Sequence, residues 1–379
     1  VHTAPLSGGD PTLLRRLNVR AVLRVLRGSE SLTLTQIGRA ASLSRQTVDV
    51  AITELDREGW IEEVSPESGI GRPARRYRFR AEAGYVLGLD IGVGQARMIL
   101  ASLDGAVAAT RRTELPQDLD AQGRHDLVRA AATGFLRDNA VPHSRLHGLC
   151  LGMPGIIDST GRIRLSISIP EWTGFDLAHA ASEWFGCPAH VENDANLATL
   201  AEHWRGAAQS TDECICILAG RRIGAGLLLG GRLHRGRSGA AGEIGTLDVI
   251  NWEGNGVAAL QDTHNEEQVF TDAAAGEAKA IELVDRFARS LAHGAAAMAL
   301  TVNPDLVVIG GGYSWAGETL AAPLRRHLEA LCLDPPQVAI SMLGAEAPAL
   351  GAVRLALDHA DAELYGLQGP PRSNRANDA

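Results

Sequence analysis

Apolar positions follow helical spacing near the N-terminus and then give way to short strands punctuated by glycine. Leu14, Leu17, Val22, Val25 and Leu26 recur at helical intervals, which predicts an amphipathic helix over residues 13–27 that ends near Gly28. Thr33-Leu34-Thr35-Gln36 has the form of a capping box, in which two side chains satisfy the free backbone donors of a helix start; a second, short helix to about Ala41 follows. Ser44 is placed to cap a third helix, with Val48, Ile52 and Leu55 as its buried stripe. Gly59 ends that helix. Residues 60–64 then alternate as a strand able to pair with residues 76–80.

This order of elements predicts a winged helix-turn-helix over residues 1–82. Thr35 and Ser44 stand at the starts of its second and third helices, and Arg45, Gln46 and Thr47 point outward at the tip of the third. Arginine suits guanine, glutamine suits adenine, and threonine suits either, at the end of a helix that enters the major groove. The loop between the two strands contains Gly71-Arg72-Pro73-Ala74-Arg75, in which glycine permits close approach and proline keeps the chain extended. Arg72 and Arg75 are the candidates to reach a narrow minor groove. Charge agrees: residues 1–80 carry 13 Arg against 9 Asp plus Glu, a net +4, leaving −13 for the rest of a chain of net charge −9. A basic module on an acidic body fits a protein that meets a polyanion at one end.

From Tyr85 onward the pattern is α/β. Residues 86–94 form a strand running into glycines, followed by a second strand over 96–103 and the turn Asp104-Gly105. A later copy has a strand over 214–219, a glycine turn over 220–226 and another strand over 227–229 before Gly230-Gly231. Two such units predict a duplicated body with a cleft between halves, over residues 83–365, and residues 366–379 read as a flexible tail. Between the copies lies Glu192-Asn193-Asp194-Ala195-Asn196, a carboxylate flanked by amides at a strand-to-helix junction. Such a group can hydrogen-bond vicinal hydroxyls and accept a proton from one of them; Asn and Asp are equally the best helix caps. Glu243, within Gly239-Ala240-Ala241-Gly242-Glu243-Ile244-Gly245, is a second candidate polar contact, and residues 303–312 read as a buried strand entering three glycines.

Composition narrows the class further. Hydrophobic residues at 45% and charged residues at 21% describe a folding, globular chain long enough for two or three cores. No run approaches the roughly 20 apolar residues of a membrane span, so a cytoplasmic, nucleoid-associated protein without a membrane partner is expected. The five cysteines lack disulfide or metal-ligand spacing and read as buried thiols.

Taken together, these motifs resemble the ROK family, named for repressors, open reading frames and kinases. The resemblance rests on residues 43–48, Gly71-Arg72-Pro73, Asp90-Ile91-Gly92, Glu192 to Asn196, Ala241 to Gly245, and Asn303-Pro304-Asp305 with its glycines. It implies a winged helix-turn-helix followed by an actin-like, sugar-kinase-type (RNase H-like) body. It also implies a homodimer or tetramer on a palindromic operator, with a sugar or sugar derivative as effector. By the same resemblance Asp194 is the residue that would act as base on a sugar hydroxyl, and Asn193 and Glu243 would hold the ring. The departures are as informative. Gly92-Val93-Gly94 stands where the kinases carry Gly-Gly-Thr, and Gly220-Arg221-Arg222 where they carry Gly-Thr-Gly. Thr246 takes the place of a zinc-ligating His, and no cysteine or histidine follows over residues 247–262, so zinc is not expected. Ser168 and Gln261 occupy two further positions used for sugar in relatives. The expectation is a DNA-binding regulator, with repression the favoured sign, that is not an enzyme and uses no ATP or magnesium; a sugar kinase with an appended DNA-binding head is the alternative.

Overall fold

A computed structural model describes residues 11–64, 74–220, 222–250, 252, 260, 263 and 265–365. Arg72, Gln261 and the tail from 366 lie outside the described residues. The chain divides into two compact units. The first is not contiguous: among the described residues it holds the chain up to Val86, the short stretch Ala101–Ala106 and a C-terminal stretch that begins at Leu357.

In the first unit, helix α1 (Pro11–Arg27) is followed by a two-residue strand β1 (Leu32–Thr33), helices α2 (Leu34–Ala41) and α3 (Arg45–Arg57), and strands β2 (Ile61–Val64) and β3 (Arg76–Phe79). The capping box at α2 is complete: Gln36 N–H donates to Thr33 Oγ1 at 3.3 Å and Thr33 N–H to Gln36 Oε1 at 2.9 Å. Ser44 caps α3, accepting from the Thr47 N–H at 3.2 Å. Between the two helices Ser42 adopts a left-handed backbone (φ 56°) and Leu43 N–H donates to the Gly38 carbonyl at 2.9 Å, so the turn is tight. Val22, Leu23, Leu26, Ile37, Val48, Ile52 and Leu55 form the core beneath. Ile61 pairs with Phe79 and Val64 with Arg76, as the alternation implied. Two details differ from the sequence reading. The sheet has the order β1-β3-β2, its third strand being too short for any pattern to reveal. Leu14 and Leu17 are 61% and 51% exposed, because α1 contributes to the apolar core only from Val19 onward, its first half meeting α3 through the Arg15–Glu54 ion pair at 2.6 Å.

The second unit holds two five-stranded sheets. The first contains β4 (Tyr85–Ile91), β5 (Gln95–Ser102), β6 (Val107–Glu114), β7 (Leu146–Met153) and β10 (Ala189–Asn193) in the order β10-β7-β4-β5-β6. A small hairpin, β8 (Ile156–Ile157) with β9 (Ile163–Leu165), interrupts it. The second sheet runs β13-β12-β11-β14-β15, from β11 (Cys214–Leu218), β12 (Gly224–Leu229), β13 (Arg232–Leu233), β14 (Leu306–Gly310) and β15 (Gln337–Ile340). Beta-10 lies parallel to β7 in the first sheet, and β14 parallel to β11 in the second, pairings that demand long crossovers and bury both faces. Cys214-Ile215-Cys216-Ile217 is accordingly apolar without alternation and fully buried.

After helices α4 (Ala121–Asp138) and α5 (Leu177–Phe185), helix α6 (Asp194–Arg205) contacts strands of both sheets and joins the halves. It seats so closely on β12 that a Cβ at Gly226 would lie 2.2 Å from Thr199 Oγ1 and 2.7 Å from the Ala195 carbonyl. This corrects the reading of residues 220–226 as a turn: Gly224 and Gly226 are strand residues, small because a helix lies against them, and the turn covers only the residues before Gly224.

Candidate ligand cavity and exposed helix tip

Within the second unit a cavity of about 330 Å³ opens between the two halves. Ser168, Asn193, Asp194, Glu243 and Thr246 all line it, so every described residue singled out for a ligand reaches one space. Each is delivered by local chemistry. Asn193 ends β10 and caps α6, its Oδ1 accepting from the Asn196 N–H at 3.0 Å and its Nδ2 donating to the Gly155 carbonyl at 3.0 Å. Its amide is thereby largely committed to positioning, and it aims Asp194, the first helical residue, into the cavity.

Asp194 Oδ1 accepts from the Ala195 N–H at 2.9 Å. Burial outweighs that hydrogen bond and raises the Asp194 pKa to about 6. Glu243 is shifted upward too, first by desolvation and then by the Asp194 charge. Its turn begins at Gly242 (φ +91°), where a Cβ would lie 2.2 Å from the Ala225 carbonyl; only glycine lets the chain pass here and present Glu243 inward. The Thr246 hydroxyl donates to the Glu243 carbonyl at 2.9 Å and stiffens the same turn. Trp252, 2% exposed, forms one wall, and its indole N–H donates to the Ser290 carbonyl at 3.2 Å.

Two supporting acids lie within the sequence motifs without a role that the sequence assigns them. Glu192, buried at the β10–α6 junction, accepts from the Asn193 N–H and the Asn196 side chain, both at 2.9 Å, and pairs with Arg235. Asp90, near the end of β4, is raised to about 7 by burial and by Asp194, with Arg97 at 3.6 Å offsetting part of that. An acid at a strand end before a glycine turn was the available signal; the partners Arg235 and Arg97 were not readable from spacing. Arg222 also lines the cavity, whereas Gly92-Val93-Gly94 and the glycines after β14 do not. Gly311 packs on Ala219 instead, where a Cβ would meet its carbonyl at 2.6 Å.

In the first unit, Thr35, Ser44, Arg45 and Gln46 are exposed and Thr47 is half-buried. The Ser44 hydroxyl lies 2.8 Å from that of Thr47, so these two groups stabilise the start of α3 while Arg45 and Gln46 extend from it. Arg75 is engaged by Tyr77 and by Glu63, 3.5 Å away, both of which push its pKa up. Arg76 donates to the Ser31 carbonyl at 2.6 Å and Arg78 pairs with Glu62, so these two strand arginines have structural partners.

Two sheets of this connectivity, bridged by a helix whose first residue is an acid in the cleft, define a mixed α/β body of the sugar-kinase type. The ROK family pattern matches residues 86–256 and 255–359, and the chain belongs to that family. A glucokinase of Halalkalibacterium halodurans is 30% identical over 312 residues, covering 70% of this chain and 93% of its own. The xylose repressor of Bacillus subtilis is 23% identical over 375 residues, covering 92% and 97%. Among solved structures, a ROK family transcriptional regulator described as a homolog of the E. coli MLC protein superposes with a TM-score of 0.70 at 20% identity over 93% of this chain and 98% of that one. A Streptomyces griseus glucokinase, solved with glucose and AMPPNP, gives 0.64 at 24% identity over 72% and 99%.

Proposed function

We propose that the chain is a sequence-specific DNA-binding transcriptional regulator, a repressor, whose winged helix-turn-helix head occupies a palindromic operator. In this reading the protein is a cytoplasmic homo-oligomer, and a sugar or sugar derivative in the body cavity changes its hold on DNA. The observation that carries the reading is the capped tip of α3, from which Arg45 and Gln46 project into solvent without an ion pair among the described residues. Long side chains left so at a helix N-terminus have the reach to read base edges in a major groove. Likeness to the xylose repressor over 92% of the chain supports the same reading, because the matched length includes the head.

The test is recovery of genomic fragments on the purified full chain, with and without candidate sugars. A short set of fragments sharing a palindrome, and released or retained according to the sugar, supports the proposal. Indiscriminate recovery that no sugar alters refutes it.

A second reading, a sugar kinase with an appended head, draws on one observation: Asp194, with its pKa raised to about 6, is poised to accept a hydroxyl proton near neutral pH. Against it stand the altered glycine turns, since a base without an oriented nucleotide does not transfer phosphate. ATP turnover with a hexose panel, abolished in Asp194→Asn, would establish this second reading; none is expected.

A further inference from the structure

We infer that Arg222 makes the cavity a site for an anionic sugar, a monosaccharide bearing a phosphate or carboxylate, with the guanidinium holding the anion and the acidic end of the cavity holding hydroxyls. The inference rests on the sugar-responsive reading above and specifies the ligand class.

Arg222 lies on the turn between β11 and β12, and that turn is anchored where it matters. Gly224, two residues on, sits so close to α6 that a Cβ there would come within 3.1 Å of Ala195 Cβ, beside Asp194. The arginine is exposed at the cavity and makes no ion pair among the described residues. Neither of the cavity's acids pairs with it among the described residues: burial raises both Asp194 and Glu243, and the Asp194 charge raises Glu243 further. One space therefore holds a guanidinium without an ion-pair partner among the described residues and, elsewhere on its wall, carboxyl groups that suit hydroxyls.

A neutral sugar would use only the second feature. A guanidinium presents a planar fork of donors that matches a carboxylate or phosphate through two parallel hydrogen bonds. Ser168 and Thr246 add hydroxyls to the lining, and Leu218 and Ile223 add apolar wall beside the arginine. The volume of about 330 Å³ lies at the small end of ligand sites, which suits one monosaccharide with one anionic group better than a sugar together with a nucleotide.

The test is calorimetric titration of the full chain with glucose, xylose and N-acetylglucosamine, each against its terminal phosphate, and with gluconate and glucuronate, inorganic phosphate and ATP as further probes. At least one anionic sugar should bind about tenfold or more tightly than its neutral parent. That advantage should shrink with added salt, disappear in Arg222→Gln and partly return in Arg222→Lys. Thermal unfolding of the two variants, matching the parent, shows that they fold. Equal binding of neutral and anionic forms, or an anion preference that survives Arg222→Gln, overturns the inference and leaves the sugar-responsive reading intact. Binding of ATP alone overturns it in favour of a nucleotide site, and binding of no probe sinks both.

Discussion

Replacing Asp194 by asparagine should stabilise the protein at neutral pH while emptying its cavity of function. Burial raises this carboxyl from 3.8 to about 6, so the native state holds the proton more tightly than the unfolded chain does. For such a group the sign is unambiguous: the penalty is absent well below the unfolded pKa, grows as pH rises from the unfolded pKa to the folded one, and is complete above it. At roughly 1.4 kcal/mol per unit, the ceiling of the penalty above the folded pKa is about 3 kcal/mol. The amide keeps the acceptor that the Ala195 N–H uses and carries no charge, so it loses the penalty and little else. Partial access from the cavity lowers the expected gain to about 1–3 kcal/mol. Urea unfolding of parent and Asp194→Asn at pH 8 and pH 5 measures it, with an unchanged m-value as the control. The variant's advantage at pH 8 should fall to roughly half at pH 5. An asparagine variant that is less stable than the parent at both pH values, or a difference indifferent to pH, would show that the site carries no electrostatic cost.

Other substitutions follow the same logic. Ser44→Ala removes the cap of α3 and should cost about 0.5–2 kcal/mol in urea unfolding, with weakened discrimination between DNA sequences because Arg45 and Gln46 lose their fixed helix start. Gly242→Ala combines a left-handed backbone with a 2.2 Å approach to the Ala225 carbonyl; loss of at least about 1–3 kcal/mol is expected, along with any ligand-induced rise in melting temperature. Burial pushes the Cys214 thiol up to about 12 and holds those of Cys150 and Cys216 well above the usual thiol range. All five thiols should therefore react with a disulfide reagent after unfolding and resist it before, and rapid labelling of the native protein would contradict the packing around β11.

What could be read in advance was chemistry local in sequence. The Thr33–Gln36 box and the Ser44 cap each act over three residues, so the helix starts were legible. The stripe Val48, Ile52, Leu55 was legible for the same reason. Periodicity does not say how far a helix is covered: Leu14 and Leu17 share the helical spacing of Val22 and Leu26 yet stand exposed. Glycine in a strand has the same letter as glycine in a turn. The contacts of Gly226 with Thr199 and Ala195 exist only once α6 is folded onto β12. The cavity was legible as a set of motifs, and what convergence added was the pairing of Glu192 with Arg235, 43 residues away, and the presence of Arg222 on the same wall. The return of the chain from Leu357 to the first unit, where Asp361 meets Arg27 at 2.9 Å, left no trace in local pattern.

Fluorescence anisotropy with one recovered genomic fragment and a shuffled duplex of the same length, titrated with the parent and with Arg45→Ala, addresses the central claim most directly. The parent should favour the genomic fragment, and the substitution should cost about 1–3 kcal/mol on that fragment while leaving the shuffled duplex little changed. Equal binding of both duplexes by the parent, or identical curves for the two proteins on the genomic fragment, would mean that the α3 tip does not read sequence.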